Sequence, residues 1–267
     1  MKKIYIVAVL LFYDINSLKA QPKRNPIVDT IITICGRETY ISYPIDIKEK
    51  YPVVMAIHGS GRGALSYDPN SKLSSPFYIH QRNLAVDHGF MFVVISNGAD
   101  TWGTDEGLKR LDSLYNYIYD KYNVKKRWIL WATSAGGVLL ARFIKDNPDK
   151  VCKALGTFPV YNLRYEYFHL KSAHSAWGTD TTEMNRINPI NYPQAFTNIP
   201  YLIFHGRNDT AVPVKINSIR LEKEVNNIGG HVMLHIVPGG HSTHNWHVYD
   251  DKVIIRFLLN KCPYRKS

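Results

Sequence analysis

The chain has 267 residues, of which 45% are hydrophobic and 21% are charged, a composition typical of an ordinary globular protein. No stretch approaches the roughly 20 consecutive apolar residues that a membrane-spanning helix requires, which argues against an integral membrane protein. The formal net charge is +11, but the basic residues are scattered and form no nucleic-acid-binding motif, so we expect no nucleic-acid partner.

The first residues have the layout of a secretory signal peptide. Lys2 and Lys3 precede the apolar stretch IYIVAVLLFY, and Ala20 offers a small residue at the end of the segment. Leu18 departs from the pattern, because a smaller residue is preferred there. We expect residues 1–20 to be cleaved, which predicts a secreted or periplasmic protein without stable membrane insertion. A buried N-terminal strand or an uncleaved anchor is the alternative.

Residues 21–267 alternate strand-like and helix-like segments. The stretch VDTIITICGRETYISYP alternates Ile, Thr and Tyr with polar residues and predicts two strands joined around Gly36. Short continuous apolar runs, typical of strands buried on both faces, follow at 52–57, 90–95, 128–133, 154–160, 201–205 and 231–237. Helix-like stretches lie between them at about 78–88, 105–121, 135–146, 214–227 and 248–260.

This alternation predicts βαβ units, and therefore an α/β fold with a mostly parallel central sheet and helices on both faces. The one irregular segment, at about 161–199, is rich in Tyr, Asn, Pro and His. We interpret it as a cap-like insertion over the sheet. No internal repeat or interdomain linker is evident, so residues 21–267 are predicted to form a single domain.

The three cysteines are Cys35, Cys152 and Cys262, an odd number without metal-binding spacing. In an exported protein two of them could form a disulfide, but the sequence leaves the pairing open. None lies in a setting that indicates a nucleophile.

Ser134 stands between a predicted strand and a predicted helix in the sequence ATSAGG. A sharp strand-to-helix turn crowds the positions two before and two after its apex, and these are the small residues Ala132 and Gly136. Such a turn would expose the Ser134 hydroxyl at the carboxyl edge of the sheet, where ligands bind in open parallel sheets. The alternative is that Ser134 only caps the following helix.

Three further loops supply what a serine nucleophile needs. HGSGRG follows the strand 52–57, and the backbone N–H groups of Ser60 and Ala135 are the candidates for an oxyanion hole. HGRNDTAVP presents Asp209, and PGGH presents His241, each just past another predicted strand. The chain order Ser, Asp, His at strand ends is that of a catalytic triad on an α/β-hydrolase sheet.

With the motifs HGSGRG, ATSAGG, HGRNDTAVP and PGGH, the chain resembles serine hydrolases of the α/β-hydrolase superfamily. The likeness is strongest to the branch that joins prolyl oligopeptidase catalytic domains with secreted feruloyl and acetylxylan esterases. The resemblance implies that Ser134 is the nucleophile, His241 the general base and acid, and Asp209 the orienting carboxylate. Ala132 departs from the commoner glycine, and no β-propeller is evident, which argues against the restricted peptidase function.

Each assignment has rivals. Asp209 could be a plain turn residue, with Asp180 and Asp250 as alternative acids. His241 shares a three-residue spacing with His244 and His247, a pattern that could indicate a metal cluster. No acidic or cysteine ligand motif accompanies these histidines, so we expect neither a metal nor a cofactor.

Two other histidines are interpreted as structural residues. His58 is expected to hold the oxyanion loop, HGSGRG, and His205 the acid loop, HGRNDTAVP. Three tryptophans, Trp102, Trp177 and Trp246, are candidates for substrate contact, because aromatic walls suit a sugar ring or a phenolic acyl group. Plain packing explains them equally well.

These observations predict a secreted serine hydrolase that cleaves carboxylic esters through an acyl-enzyme intermediate, on acylated carbohydrates or small esters. The first alternative is a prolyl-oligopeptidase-like peptidase acting on short peptides. The second is a non-catalytic binding protein, which would be expected to lack a catalytic group, and none is missing. The sequence does not indicate an oligomeric state.

Overall fold

The computed structural model describes residues 26–45, 49–244 and 246–263, so the predicted signal peptide lies outside the described residues. The strands are β1 Ile27–Ile34, β2 Arg37–Pro44, β3 Val53–Ile57, β4 Met91–Ile95, β5 Trp128–Thr133, β6 Val151–Thr157, β7 Tyr201–Gly206 and β8 Val232–Val237. The helices are α1 Pro76–Val86, α2 Asp105–Lys121, α3 Gly136–Asp146, α4 Leu163–His169, α5 Lys171–Trp177, α6 Thr181–Arg186, α7 Ser218–Asn227 and α8 Asp251–Leu259.

The eight strands form one mixed sheet in the order β1-β2-β4-β3-β5-β6-β7-β8. The β1–β2 hairpin turns through Cys35 and Gly36, both at positive φ, and β2 pairs antiparallel with β4. All pairings from β4 through β8 are parallel. The predicted α/β class and mostly parallel sheet are confirmed, and the parallel strands all end at one edge.

The parallel strands read as continuous apolar runs because both faces of the sheet are covered. In β3 the alternate residues Val53, Met55 and Ile57 belong to one hydrophobic cluster, and Val54 and Ala56 belong to another. Helices α2, α3 and α7 contribute to the first cluster, whereas α1 and α8 contribute to the second. Apolar burial on both faces is the main stabilising term of such a sheet.

Some element boundaries differ from prediction. Strand β6 covers Val151–Thr157 rather than 154–160, because the chain turns at Phe158, whose φ is +39, and Pro159 has no N–H for the ladder. Helix α7 begins at Ser218 after a series of turns. Helix α8 begins after Asp250, whose carboxylate accepts hydrogen bonds from two backbone N–H groups of the first turn.

The segment at about 161–199 contains α4, α5 and α6 and joins β6 to β7. Its apolar residues pack with Trp102 and Val138 in a third hydrophobic cluster beside the carboxyl edge of the sheet. The insertion therefore adds a layer next to the strand ends.

A disulfide joins Cys152, in β6, to Cys262, after α8, with their Cα atoms 5.4 Å apart. This separation is in the usual range for disulfides. The sequence leaves open which two cysteines pair, and the structure pairs Cys152 with Cys262. Cys35 is an exposed free thiol. Next to the bond, the buried Lys153 ammonium donates to three carbonyls at the end of α8.

Among the described residues, no helix has the length and apolar character needed to cross a membrane.

Candidate active site

Ser134 occupies a tight turn between β5 and α3. Its φ of +52 is a left-handed conformation that is uncommon for a residue with a side chain. A Cβ on Gly136 would lie only 2.5 Å from the carbonyl oxygen of Ile57, so this position accepts no larger residue. Ala132 is fully buried. The small residues on either side thus let the turn seat against β3 and hold Ser134 at the carboxyl edge.

The structure brings the three predicted triad residues together. The Oγ of Ser134 lies 2.9 Å from Nε2 of His241, and Nδ1 of His241 lies 2.8 Å from Oδ2 of Asp209. The Asp209 side chain is fully buried, whereas His241 retains 24% exposure. Three loops far apart in sequence therefore deliver one hydrogen-bonded series of a hydroxyl, an imidazole and a carboxylate.

Asp209 is held as an anion by several donors. Burial alone would raise its pKa, but hydrogen bonds from His205, His241 and the Val212 backbone N–H outweigh burial and lower the pKa to about 2. A carboxylate opposite Nδ1 of His241 favours the proton on that nitrogen. Nε2 is then left as an acceptor for the Ser134 hydroxyl, the tautomer that a general base needs.

The acid loop and the histidine loop are fastened to each other by their backbones. The N–H of Arg207 donates to Val237 O at 2.8 Å, and the N–H of Asn208 donates to Gly239 O at 2.9 Å. A Cβ on Gly206 would approach Gly239 O to 2.7 Å. This close contact fixes the register of the two loops that carry the acid and the base.

The predicted oxyanion donors both belong to segments that reach the serine, because Ala135 follows Ser134 directly and Ser60 lines the same pocket. Within the described residues, the backbone N–H groups of Ser60 and Ala135 donate no hydrogen bond, so both are available to a ligand. Gly59 lies against the serine, since a Cβ at Gly59 would be 3.2 Å from Cβ of Ser134. The arrangement can accept a negative oxygen next to the Ser134 hydroxyl.

His58 is a structural support for this loop. The Asn97 N–H donates to its Nε2 at 2.8 Å, and its Nδ1 lies 2.8 Å from Gly59 O. Burial lowers the pKa of His58 to about 4, which keeps the ring neutral near pH 7. His205 is likewise buried, between Ser218 Oγ and Val212 O.

A small pocket of about 240 Å³ opens at the serine. Its lining consists of Gly59, Ser60, Arg62, Tyr78, Ser134, Phe158, His241, Ser242, Thr243 and His244. No residue of the 161–199 insertion lines it. The pocket is smaller than the roughly 300–1,000 Å³ of typical ligand sites, so it fits a small group beside the serine.

The tryptophans predicted to contact substrate do not line this pocket. Trp102 is 1% exposed, and its carbonyl accepts a hydrogen bond from Nε1 of Trp177, which is itself buried. Trp246 is partly buried, and its ring packs at a tilt against His80, with ring centroids 4.1 Å apart. Packing in the third hydrophobic cluster covers the rings of Trp102 and Trp177, so neither ring is presented to this pocket.

Two aromatic residues that were not predicted as site residues, Tyr78 and Phe158, line the pocket instead. Tyr78, from α1, accepts a hydrogen bond from the Gly59 N–H at 3.3 Å. Phe158, directly after β6, contacts the His241 ring with centroids 4.6 Å apart. The position of Phe158 after a buried strand was a usable signal, whereas nothing local in α1 indicates that Tyr78 reaches the site.

The rival assignments have structural explanations. Asp180 and Asp250 cap helices α6 and α8 with their carboxylates. His244 lines the pocket, whereas the His247 ring packs at a tilt against Trp246. No group of three or more potential metal ligands is assembled within the described ranges of the chain.

The geometry can be compared with known proteins. The family model of the prolyl oligopeptidase family, Peptidase_S9, matches residues 83–262, a range that contains all three triad positions. A comparison with functionally curated proteins finds no match to the chain.

Solved structures of serine hydrolases share the fold. An S-formylglutathione hydrolase from Staphylococcus aureus matches with a TM-score of 0.67 and 15% identity, over 87% of this chain and 96% of that one. A ferulic acid esterase matches with a TM-score of 0.64 and 14% identity, over 87% and 96% of the two chains. An acylaminoacyl peptidase from Pyrococcus horikoshii matches with a TM-score of 0.70 and 14% identity, over 92% of this chain but 43% of that one. At these identities the likeness establishes the α/β-hydrolase fold.

Proposed function

The chain belongs to the prolyl oligopeptidase family of serine hydrolases, and from this premise we propose that it hydrolyses carboxylic esters through an acyl-enzyme on Ser134. The observation that carries the proposal is the continuous hydrogen-bonded series from Asp209 through His241 to Ser134 at the mouth of a small pocket.

In the first half-reaction, the Ser134 Oγ attacks the ester carbonyl carbon while Nε2 of His241 takes the hydroxyl proton. Asp209 stabilises the imidazolium that forms. The carbonyl oxygen becomes negative and accepts hydrogen bonds from the N–H groups of Ser60 and Ala135. Collapse of this intermediate expels the alcohol, which takes the proton from His241, and leaves an ester on Ser134.

In the second half-reaction, a water molecule takes the place of the alcohol. His241 removes a proton from the water as it attacks the acyl carbon, and the same two N–H groups hold the oxyanion. Breakage of the bond to Ser134 returns the proton to Oγ and releases the carboxylic acid. The free enzyme is restored without any other reactant.

Small esters are the substrate class that we propose, including acyl groups on carbohydrates. The pocket volume of about 240 Å³ supports a small acyl or alcohol group. Structural neighbours named as a ferulic acid esterase and an S-formylglutathione hydrolase support esters as the bond class. Cleavage of short peptides is the second candidate, supported by the family match and by the acylaminoacyl peptidase neighbour.

Secretion to the periplasm or the medium is also proposed. The disulfide between Cys152 and Cys262 supports an oxidising location, because such bonds are rare in reducing cytosol. N-terminal sequencing of protein recovered from the periplasm or medium tests this, and a mature chain that starts near residue 21 is expected. A full-length chain confined to the cytosol would contradict it.

The bond class is tested with a panel of short-chain nitrophenyl esters, feruloyl esters, acetylated sugars and fluorogenic dipeptides. We expect turnover of esters, little turnover of amides, and no turnover by Ser134→Ala. A fluorophosphonate probe should label the wild type and leave Ser134→Ala unlabelled. Faster cleavage of dipeptides than of all esters would favour the peptidase.

A further inference from the structure

Arg62 contributes a cation to the pocket at Ser134. It lies in the loop after β3, and its backbone N–H donates to Gly59 O at 3.3 Å, which closes a turn. Its side chain is exposed and lines the pocket together with Ser134 and His241. Within the described part of the chain, its guanidinium forms no ion pair or hydrogen bond.

The charge of Arg62 acts on the same side of the pocket as the nucleophile. Burial raises the pKa of the Tyr78 hydroxyl, and the positive charge of Arg62 opposes that rise, so the two groups are within electrostatic reach. A Cβ placed on Gly59 would lie 3.1 Å from the Tyr78 hydroxyl and 3.2 Å from Cβ of Ser134. Arg62, Tyr78 and Ser134 therefore surround one short piece of backbone.

Among the residues that the structure describes, no acidic side chain lines this pocket to neutralise the cation. The nearest catalytic carboxylate, Asp209, is fully buried behind His241 and is occupied by its hydrogen bonds. An anionic group entering the pocket would thus meet an unpaired guanidinium and no like charge. Guanidinium groups suit carboxylates particularly well, because two parallel N–H donors match the two carboxylate oxygens.

We propose that Arg62 binds a carboxylate carried by the ester substrate, so that the enzyme prefers esters with a negative charge close to the scissile carbonyl. This proposal rests on the proposed esterase function and defines its substrate class. Monoesters of dicarboxylic acids place the charge on the acyl side. Esters of hydroxy acids place it on the alcohol side.

Pairs of esters that carry either a free carboxylate or its neutral methyl ester test this preference. Nitrophenyl hemisuccinate is compared with its neutral methyl ester for the acyl side, and acetoxybenzoate with its methyl ester for the alcohol side. The wild type should show a kcat/KM for the anionic member about twofold to fivefold higher in at least one pair, the range expected of an exposed charge pair. High salt should reduce that ratio.

Variants at Arg62 assign the preference. Arg62→Gln should bring the anionic-to-neutral ratio close to one, Arg62→Glu should invert it, and Arg62→Lys should retain part of it. Lys126→Gln is the matched control, because it removes one exposed cation at the opposite edge of the sheet, just before β5. Its ratio should equal that of the wild type.

Labelling of Ser134 by a neutral fluorophosphonate separates the two proposals. If Ser134 is not labelled, the serine hydrolase mechanism fails, and the Arg62 proposal fails with it. If labelling is normal, rates with an anionic and a neutral fluorophosphonate provide the charge ratio even when the ester pairs react slowly. A ratio near one in the wild type, or an equal ratio in Arg62→Gln, would overturn the role of Arg62.

Discussion

The ring of Phe158 meets the His241 imidazole edge to face, with centroids 4.6 Å apart and an interplanar angle of 65°. Phe158 reaches this position from a positive φ of +39, and its backbone N–H donates to Phe204 O at 2.7 Å. The strained backbone after β6 thus brings an aromatic wall against the proposed base. His241 lies on a loop of glycines, so this contact is one of the few that hold its ring.

Removal of that wall should misplace the base. We expect Phe158→Ala to lower kcat/KM on esters by about tenfold or more, since small displacements of catalytic groups are costly. Phe158→Leu, which keeps much of the volume, should lose less. Rates are compared per mole of folded protein, determined by circular dichroism, because truncation of a buried Phe also destabilises the fold. Unchanged kcat/KM in folded Phe158→Ala would contradict the positioning role.

The close packing of the turn at Ser134 leads to a second prediction. Gly136→Ala should abolish most fluorophosphonate labelling and lower the melting temperature, because the new Cβ would lie 2.5 Å from Ile57 O and 2.8 Å from His58 O. These are backbone atoms that cannot move independently of β3. Labelling kinetics and thermal unfolding measure the two effects.

Ala132→Gly is the control for that substitution. It restores the commoner glycine on the other side of the serine and creates no close contact. We expect labelling of Ser134 to persist, with a loss of about 1 kcal/mol in unfolding free energy from the added chain entropy. Loss of labelling in Ala132→Gly alone would show that the size argument does not explain the turn.

The triad positions could be predicted from sequence because each lies in a local motif directly after a buried strand. The sheet brings the carboxyl ends of parallel strands to one edge, so the proximity of Ser134, Asp209 and His241 follows from the topology. The oxyanion candidates could be predicted for the same reason. Local sequence patterns identify where each strand ends, whereas the order of the strands in the sheet is set by long-range folding.

The residues that line the pocket could not be predicted in the same way. Trp102 comes soon after β4, but the chain turns into a short helix and its ring faces the insertion instead of the serine. Tyr78 comes from α1, a helix with no catalytic motif, and reaches the site through its packing beneath the HGSGRG loop. Side-chain direction after a strand end depends on such packing, which residue patterns alone do not encode.

The disulfide should be a major source of stability. Cys152 and Cys262 are separated by 110 residues, and closing a loop of that length is expected to stabilise a fold by about 3–5 kcal/mol. The double variant Cys152→Ser/Cys262→Ser should therefore unfold at a lower urea concentration than the wild type when both are measured without a reductant. Cys35→Ser, at an exposed free thiol, is the control and should match the wild type. Equal midpoints for the double variant would contradict this prediction.

Glu166 should make stability depend on pH. Its carboxyl group is buried in α4, accepts from the Asn217 side-chain amide at 3.2 Å, and has one oxygen without a partner among the described residues. Burial raises its pKa from 4.5 to about 8, and the nearby charge of Asp209 adds to the rise. The folded state therefore binds this proton more tightly than the unfolded state.

The sign of the effect follows from linkage. The contribution of Glu166 to stability is fully present below pH 4.5, the ordinary pKa of a glutamate, and is lost as the pH rises toward 8. Between pH 6 and 9 we expect the wild type to lose on the order of 2 kcal/mol more unfolding free energy than Glu166→Gln, which cannot ionise. Urea unfolding at several pH values measures the difference. Glu38→Gln, at an exposed carboxyl group, should parallel the wild type, and parallel curves for Glu166→Gln as well would refute the assignment.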